Sequence, residues 1–469
     1  MGHSKIRGKD LERIRYHSDR SKSLAIEILG KHFKRSTKKE KLFLLQDVLS
    51  NPTKYLDDPI WSRLAEEFAE PELETPQAQS YELRDEPKSY RVYGKKFIDQ
   101  MTLRQMDQAM SLPVAEKGAL MPDAHVGYGL PVGGVLATRN AVIPYGVGLD
   151  IGCRMCMTVY DVPANMLTGQ RHAFKNALTK HTHFGIGKTQ FSRRDHEVFD
   201  RTEFQDLEPL RHLKDKAYRQ IGTSGSGNHF VEFGRVEISQ EGTLGIPPGE
   251  YLGILSHSGS RGFGASIAQY YTQLARDLCH LPKTVQHLAW LDLDTEPGQE
   301  YWLAMNLAGD YARACHDVIH LNLSRELGLR PMTKVENHHN FAWKEEQQNG
   351  ESFVVHRKGA TPAQNGTLGI IPGSMTAPGY IVSGKGVSEA LQSASHGAGR
   401  AMSRSKARSS FTRSDMKKML NGLGIQLIGG GVDEAPKAYK DLEVVMKQQE
   451  ELVRVEGKFY PKIVRMDKG

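Results

Sequence analysis

Four short segments of the chain hold side chains that could bind a transition metal. Asp150 and Cys153 lie three residues apart in an Asp-Ile-Gly-Cys sequence, and His229, His257 and His339 each lie in a polar segment rich in glycine or asparagine. A thiolate, a carboxylate and several imidazoles suit Zn²⁺, Mn²⁺, Fe²⁺ or Co²⁺ better than Mg²⁺ or Ca²⁺. Each residue alone also has a structural explanation, because buried cysteines usually behave as small hydrophobic residues. The residue types alone therefore indicate only a candidate metal site.

Four segments combine glycine with histidine, and their backbone could approach a phosphate closely. They are residues 122–133, 222–229, 256–262 and 395–400. Glycine adopts positive φ without strain and leaves backbone N–H groups accessible to an anion. The chain lacks both the GxxxxGK[ST] pattern of P-loop proteins and the KxDG lysine of ATP-dependent nucleic-acid ligases. A nucleotide activated on this protein would need a different nucleophile.

The elements that must position these segments differ along the chain. Residues 1–70 show helical spacing of apolar residues, residues 71–87 are rich in Pro, Glu and Gln and are typical of a linker, and residues 88–469 have more glycine and shorter apolar segments. The predicted strands are 132–138, 155–162, 229–233 and 251–256. The predicted helices are 265–278 and 301–321, with more helix after residue 433. This mixture predicts an α+β fold that follows a helical N-terminal extension.

The bulk composition is that of an ordinary globular protein. Of its 469 residues, 25% are charged and 39% hydrophobic, and no apolar run approaches the roughly 18 residues that span a bilayer. The first residues lack the apolar region of a secretory signal, and four cysteines are too few for a disulfide scaffold, so we expect a cytoplasmic protein without a membrane partner. Residues 1–50 carry a net charge of +7, equal to that of the whole chain. Such a basic arm suits RNA and is equally typical of a solvated helical face.

Nine motifs follow one another between Met121 and Asp441, within a region from about residue 90 to Gly469. They are MPDAHVGYGLPVGG, AVIPYGVGLDIGCRM, GTSGSGNHFVE, SHSGSRG, HHNF, RKGATPA, IIPGSM, SHGAGRAMSR and DEAPKAYKD. The motifs and their order resemble those of the RtcB RNA ligases. The resemblance implies an RtcB-like catalytic domain at 88–469, in which β-sheets packed with helices surround a central metal site. The extension at 1–70 has no counterpart in the best-known members and suggests a divergent branch.

The resemblance implies roles for individual residues. The implied metal ligands are Asp150, Cys153, His229, His257 and His339. The Cys153 thiolate would bridge two Mn²⁺ ions, and His339 rather than His338 is the ligand because it directly precedes the asparagine. The implied GTP-binding residues are Asn228, His229, Phe230, Val231, Glu232, His339, Asn340, Pro372, Gly373, Ser374, Met375, His396, Gly397, Ala398, Gly399, Tyr439 and Lys468. His396 would be the catalytic residue that becomes guanylylated, and Arg261 and Arg400 would contact RNA phosphate.

The implied reaction joins RNA ends in RNA repair or tRNA splicing. A 2′,3′-cyclic phosphate or 3′-phosphate end would be joined to a 5′-hydroxyl end through a guanylyl-histidine and an RNA-ppG intermediate. A neutral imidazole at His396 suits this role, because it can attack phosphorus and later leave. The alternatives are a metal-dependent phosphoesterase that opens RNA cyclic phosphates and a non-catalytic RNA-binding protein. His396 and Lys468 argue against the first, and the full set of metal ligands argues against the second.

Other positions carry less specific expectations. The family pattern has a serine where this chain has Gly379, so we expect guanine selectivity or affinity to differ. Asp123 and His125 are interpreted as turn residues or as supports of the site rather than as catalytic groups, and Cys156 as packing. Basic residues between 400 and 413 could line an RNA channel or form a solvated helix face. Some family members need a small accessory protein, archease, which makes it a candidate partner.

Overall fold

The chain forms two structural units in the computed structural model, Met1–Leu73 and Glu74–Gly469. The structure describes residues 6–16, 18–69, 77–185, 187, 195–239, 244–346 and 350–468. The first six residues of the predicted linker, 71–76, lie outside this part of the chain. Within the described ranges, no helix has both the length and the apolar character needed to cross a membrane.

The smaller unit contains short helices around its own apolar core. Its helices are α1 (Gly8–Arg13), α2 (Asp19–His32), α3 (Lys38–Ser50) and α4 (Ser62–Ala65), with a 3₁₀ turn at Pro52–Tyr55. The start of α3 is fixed by a capping box, in which the Thr37 and Glu40 side chains each accept a hydrogen bond from the other's backbone N–H. Leu45, Trp61 and Leu64 are buried in the core of this unit. Burial of such an apolar face, rather than helix propensity alone, stabilises helices this short.

The larger unit alternates strands with helices. Its helices are α5 (Gln100–Met110), α6 (Pro144–Val147), α7 (Met166–Gly169), α8 (Arg171–His181), α9 (Glu203–Asp206), α10 (Glu208–Arg211), α11 (Lys214–Gln220), α12 (Arg261–Leu278), α13 (Glu296–Leu327), α14 (Arg404–Ser410), α15 (Arg413–Gly422) and α16 (Leu442–Lys447). Its 3₁₀ turns are Lys95–Phe97, Glu197–Asp200, Gln286–Leu288, Ser388–Ala390, Val432–Glu434 and Pro436–Ala438. This mixture of helices and sheets agrees with the α+β class predicted from the sequence.

Nineteen strands are found among the described residues. They are β1 (Gln79–Ser80), β2 (Arg91–Val92), β3 (Ala115–His125), β4 (Val132–Thr138), β5 (Ala141–Val142), β6 (Arg154–Tyr160), β7 (Phe230–Ile238), β8 (Gly249–Ser258), β9 (Cys279–His280), β10 (Leu291–Asp292), β11 (Pro331–His338), β12 (Asn340–Glu346), β13 (Ser352–Lys358), β14 (Ala360–Pro362), β15 (Leu368–Ile371), β16 (Gly379–Gly384), β17 (Ser393–Ser395), β18 (Gln426–Ile428) and β19 (Val453–Met466). The four strands predicted from the sequence correspond to β4, β6, β7 and β8. The chain after residue 433 is only partly helical, because β19 follows the short helix α16.

Two large sheets organise the unit. One has eight strands in the order β11-β6-β8-β7-β19-β16-β15, with β18 paired to β19, and the other has five in the order β12-β13-β4-β3-β2. The strand pairs β1-β9, β10-β5 and β14-β17 form smaller sheets. The chain passes from the larger sheet to the five-stranded one between β11 and β12, where His339 is the single intervening residue. The long helix α13 packs against β6 and β8 and buries one side of the larger sheet.

Candidate functional site

The five predicted metal ligands meet at one end of the eight-stranded sheet. Cys153 directly precedes β6, His229 directly precedes β7, His257 lies at the end of β8, and His339 directly follows β11. These four strands are direct neighbours. Because paired strands lie about 4.8 Å apart, side chains from adjacent strand ends can reach a common point. Asp150 approaches the same point from the loop that follows α6.

The ligand atoms are separated by distances typical of one coordination site. Cys153 Sγ is 3.4 Å from His229 Nε2 and 3.2 Å from His257 Nε2. His257 Nε2 is also 3.2 Å from His339 Nε2, and His229 Nε2 is 3.0 Å from Asp150 Oδ2. Ligands that share one ion at about 2.0–2.3 Å are themselves about 2.8–3.8 Å apart, the shorter distances for ligands at right angles and the longer ones for a tetrahedral arrangement. The spacing and the mixed N, O and S atoms therefore fit divalent transition-metal ions.

Burial keeps two of the three imidazoles, His257 and His339, in the neutral form that binds metal. His257 donates its Nδ1–H to the carbonyl oxygen of Asn228 at 3.1 Å, which leaves the lone pair on Nε2. Burial lowers the pKa of His257 to about 3 and that of His339 well below its ordinary value. Burial and the nearby Asp150 carboxylate raise the pKa of the Cys153 thiol. A thiolate at Cys153 therefore requires a bound cation to compensate its charge.

His396 lies beside this cluster, directly after β17. Its ring centroid is 5.0 Å from that of His339. The Nδ1–H of His396 donates to Oδ2 of Asp123, a fully buried residue of β3, at 2.7 Å. Because the proton is held on Nδ1, Nε2 carries a free lone pair and can act as a nucleophile. Gly399 has a φ of +72°, and a Cβ there would lie 2.1 Å from the Asp123 carbonyl oxygen, so this close approach requires glycine.

A cavity of about 320 Å³ joins the cluster to His396. All five predicted metal ligands line it, and so do the predicted nucleotide-binding residues other than Val231 and Lys468. The side chain of Val231 is buried in an apolar cluster, whereas its neighbours Phe230 and Glu232 line the cavity, as the alternation of a strand requires. Lys468 is exposed to solvent, and its carbonyl oxygen accepts a hydrogen bond from Arg413 at 3.4 Å.

Six cavity residues were not assigned to a site from the sequence, namely Val132, Lys358, Gly359, Glu434, Val464 and Met466. Two more, His125 and Arg404, had been considered only as a support of the site and as part of a basic segment that could line an RNA channel. Lys358 is buried, and this burial lowers its pKa to about 8. Its position in the RKGATPA motif was a signal that could have identified it. Arg404 donates to Asp433 Oδ2 at 2.7 Å and to Glu434, so part of the basic segment 400–413 is neutralised by carboxylates.

Arg400 and Arg261, which the sequence suggested as phosphate contacts, have different environments. Arg400 lines the cavity, and its guanidinium lies 5.3 Å from the ring centroid of Tyr439. Arg261 donates to Thr223 Oγ1 at 3.1 Å and to the Gly185 carbonyl oxygen at 3.0 Å, and it is not among the residues that line the cavity. The structure therefore brings Arg400 to the site and engages Arg261 in loop contacts.

A second group of buried ligand-type side chains lies between β6, β8 and α13. It consists of Cys156, His316 and His320. Ser256 Oγ is 2.6 Å from His316 Nδ1 and 2.7 Å from His320 Nε2, and His316 Nε2–H donates to the Ser258 carbonyl oxygen at 3.2 Å. Burial raises the pKa of the Cys156 thiol to about 12. Because these imidazole nitrogens already have hydrogen-bond partners, this group is a polar network within the core that supports β8.

Comparison with known proteins relates this site to one family. The family model described as tRNA-splicing ligase RtcB matches residues 105–208 and 200–467. The RNA-splicing ligase RtcB of Escherichia coli strain K12 is 34% identical over 373 residues, which cover 72% of this chain and 86% of that protein. The tRNA-splicing ligase RtcB of Methanococcus maripaludis is 29% identical over 434 residues, which cover 76% of this chain and 90% of that protein. The matched region includes the metal cluster, Asp123 and His396.

Proposed function

Because the chain belongs to the RtcB family of RNA-splicing ligases, we propose that it joins RNA ends in a reaction that depends on GTP and Mn²⁺. The substrates are an RNA that ends in a 3′-phosphate or 2′,3′-cyclic phosphate and an RNA that begins with a 5′-hydroxyl. The product is a 3′,5′-phosphodiester, and the by-products are pyrophosphate and GMP.

Three stages account for this conversion, and the second comprises two displacements. Water first opens a cyclic phosphate to a 3′-phosphate. His396 Nε2 attacks the α-phosphorus of GTP, which forms an N–P bond and expels pyrophosphate, and a 3′-phosphate oxygen then displaces the histidine to give RNA-ppG. The 5′-hydroxyl oxygen finally attacks the RNA phosphorus, loses its proton and expels GMP. A histidine suits the middle step because a neutral imidazole is both a nucleophile and a leaving group.

The observation that carries this proposal is the pairing of His396 with Asp123 next to the metal cluster. The carboxylate accepts the Nδ1–H across 2.7 Å, which orients the ring and, in a neutral imidazole, leaves the lone pair on Nε2. The 5.0 Å between the His396 and His339 ring centroids supports the proposal, because a phosphorus attacked by Nε2 would then lie close to a cation held by the cluster. Hydrolysis of a cyclic phosphate alone would need no oriented nucleophile of this kind.

The cluster residues would hold two Mn²⁺ ions. Cys153 would bridge them, His229 and His257 would complete one site, and Asp150 and His339 the other. When bound, the ions supply positive charge that neutralises phosphate oxygens during transfer. Cys153 must remain reduced to act as a ligand, which suits a reducing compartment such as the cytoplasm.

The proposal is tested by covalent labelling. The protein is incubated with α-labelled GTP and MnCl₂ without RNA, quenched in denaturant and separated from free nucleotide, with α-labelled ATP as the nucleotide control. We expect an acid-labile label that requires Mn²⁺ and is lost in His396→Ala. The matched control is His280→Ala, because His280 is an exposed histidine of β9 that does not line the cavity.

The same variants are then given RNA with a 2′,3′-cyclic phosphate and RNA with a 5′-hydroxyl. Joined product that requires GTP and His396 supports the ligase. Opened but unjoined RNA from the wild-type protein would indicate a phosphoesterase, and unchanged but bound RNA would indicate a non-catalytic RNA-binding protein. Labelling of His396→Ala at the wild-type level would exclude His396 as the nucleophile.

A further inference from the structure

An exposed aromatic ring stands on the loop that connects β3 to β4. Tyr128 keeps 73% of its surface exposed, and Val126 on the same loop keeps 49%. Leu149, which directly precedes the predicted metal ligand Asp150, is 39% exposed. Single exposed apolar residues are common on protein surfaces and need no explanation. Here three exposed apolar residues lie on two segments that also supply His125, Val132 and Asp150 to the cavity wall, and this pattern requires an explanation.

The backbone of this loop is held in place on both sides of Tyr128. Gln105 of α5 donates from Nε2 to the carbonyl oxygens of Gly127 at 2.6 Å and Gly129 at 3.1 Å, and its Oε1 accepts the Gly127 N–H at 3.1 Å. Lys358 Nζ donates to the carbonyl oxygen of Tyr128 itself. Four hydrogen bonds therefore fix three consecutive residues, although the ring that they carry is left in solvent. A ligand that stacks on this ring meets a backbone that is already ordered, which reduces the entropic cost of binding.

The loop borders the proposed reaction site. Its flanking residues His125 and Val132 both line the cavity, as does Lys358. Asp150, next to Leu149, approaches the metal cluster through His229 at 3.0 Å. The Tyr128 backbone thus shares Lys358 with the cavity wall. The exposed residues Val126 and Leu149 are each next in sequence to a residue of that wall, His125 and Asp150.

The exposed Tyr128 ring and the cavity wall beside its loop together fit the end of an unpaired nucleic-acid strand. Aromatic side chains stack on nucleobases of any sequence, and nearby cations attract the phosphate backbone. Lys358 supplies positive charge in the cavity wall, and Arg400 adds to it although the Glu434 carboxylate lies 3.7 Å from its guanidinium. Tyr128 supplies an exposed aromatic face outside the wall. We propose that Tyr128 stacks on the base of a terminal RNA nucleotide and so positions the RNA end over the metal cluster. This inference rests on the proposed RNA ligase function and adds a residue that positions the substrate.

The test measures stacking directly in the full-length protein. Two sets of RNA strands are titrated with wild-type protein and MnCl₂. One set carries 2-aminopurine at the 3′-terminal nucleotide, and the other carries it at the 5′-terminal nucleotide. Stacking quenches the fluorescence of 2-aminopurine, so the set that is quenched identifies which RNA end rests on the ring. We expect Tyr128→Ala to remove the quench and to weaken binding by about 5- to 150-fold, the range for loss of one stacked base.

Two further substitutions separate stacking from folding. Tyr128→Trp keeps an aromatic face and should retain both the quench and the affinity. Tyr270→Ala removes a tyrosine that is 46% exposed on α12 and does not line the cavity, and it should leave both unchanged. A quench that persists in Tyr128→Ala, the absence of any quench in wild type, or equal losses in Tyr128→Trp and Tyr128→Ala would each refute the stacking role.

The outcome is independent of the proposed catalytic chemistry. The quench requires no GTP and no bond formation, whereas self-labelling with GTP requires no RNA. Normal labelling with no quench would refute the role of Tyr128 and leave the ligase proposal standing. A Tyr128-dependent quench without labelling would support stacking and refute the guanylyl-transfer step.

Discussion

Replacement of Asp123 by asparagine tests the nucleophile most directly. The Asp123 carboxylate can only accept the His396 Nδ1–H, whereas an asparagine in the same place can turn its NH₂ group toward Nδ1. The imidazole would then carry its proton on Nε2, and the lone pair required for attack on phosphorus would be lost. The side chain is fully buried, and its Oδ1 lacks a hydrogen-bond partner, so a neutral amide should not destabilise the fold.

The size of the effect follows from the interaction removed. A hydrogen bond to a charged group contributes about 1.5–3 kcal/mol, which corresponds to about 10- to 150-fold in rate if only the orientation of the ring is lost. Inversion of the tautomer reduces the rate further. The same Asp-to-Asn exchange in a serine-protease triad lowers kcat by about 10⁴-fold. We therefore expect Asp123→Asn to slow labelling by about 10²- to 10⁴-fold.

The assay is the initial rate of labelling by α-labelled GTP without RNA, measured beside thermal unfolding of each variant. Asp123→Ala supplies a further check, because added formate can occupy the vacated volume and accept the Nδ1–H. Partial recovery of the rate with formate in Asp123→Ala, and none in His396→Ala, is the expected pattern. Wild-type labelling by a folded Asp123→Asn protein would show that the 2.7 Å contact does not control the nucleophile.

Two other changes probe the cavity wall, one beside it at Gly379 and one within it at Lys358. A Cβ at Gly379 would lie 3.4 Å from Pro372 Cα, so a serine fits there and adds a hydroxyl beside the 372–375 loop. If this hydroxyl makes one neutral hydrogen bond to the nucleotide, Gly379→Ser should lower the KM for GTP by about 2- to 12-fold. The labelling rate against GTP concentration measures this, and an equal change in Gly379→Ala would assign it to the methyl group instead. Burial lowers the pKa of Lys358 to about 8, so its charge is present below that pH and lost above it. The rate of RNA joining should therefore decline above about pH 8 in the wild-type protein. Lys358→Met should join RNA more slowly at all pH values and show no such decline. If the decline above pH 8 persists in Lys358→Met, Lys358 is not its source.

The short strands were predictable from sequence because glycine and polar turns bound their apolar runs. The predicted 132–138 coincides with β4, and 251–256 lies within β8. The 14-residue strand β19 was not predicted, since its segment follows a short helix and contains Gly457 and Pro461 within the strand. Both residues are disfavoured inside strands, and the pairing of β19 with β7 and β16 prevails over this local signal. The strand conformation of β19 is therefore determined by its pairing with neighbouring strands, and the local sequence pattern did not predict it.

The site itself could be only partly predicted, for a geometric reason. Four of the five predicted metal ligands lie at the ends of β11, β6, β8 and β7, which are adjacent in the sheet but distant in sequence. Their spacing therefore forms no short metal-binding motif. Asp123 and His396 are 273 residues apart, and the contact exists only because Gly399 lets the 396–399 loop approach β3. Residue types identified the groups capable of chemistry, whereas pairing of strands determined which of them meet. Since the sheet fixes the spacing of the ligands and the loops place His396 and Tyr128, substitutions in these loops should alter nucleotide or RNA handling while leaving the metal cluster intact.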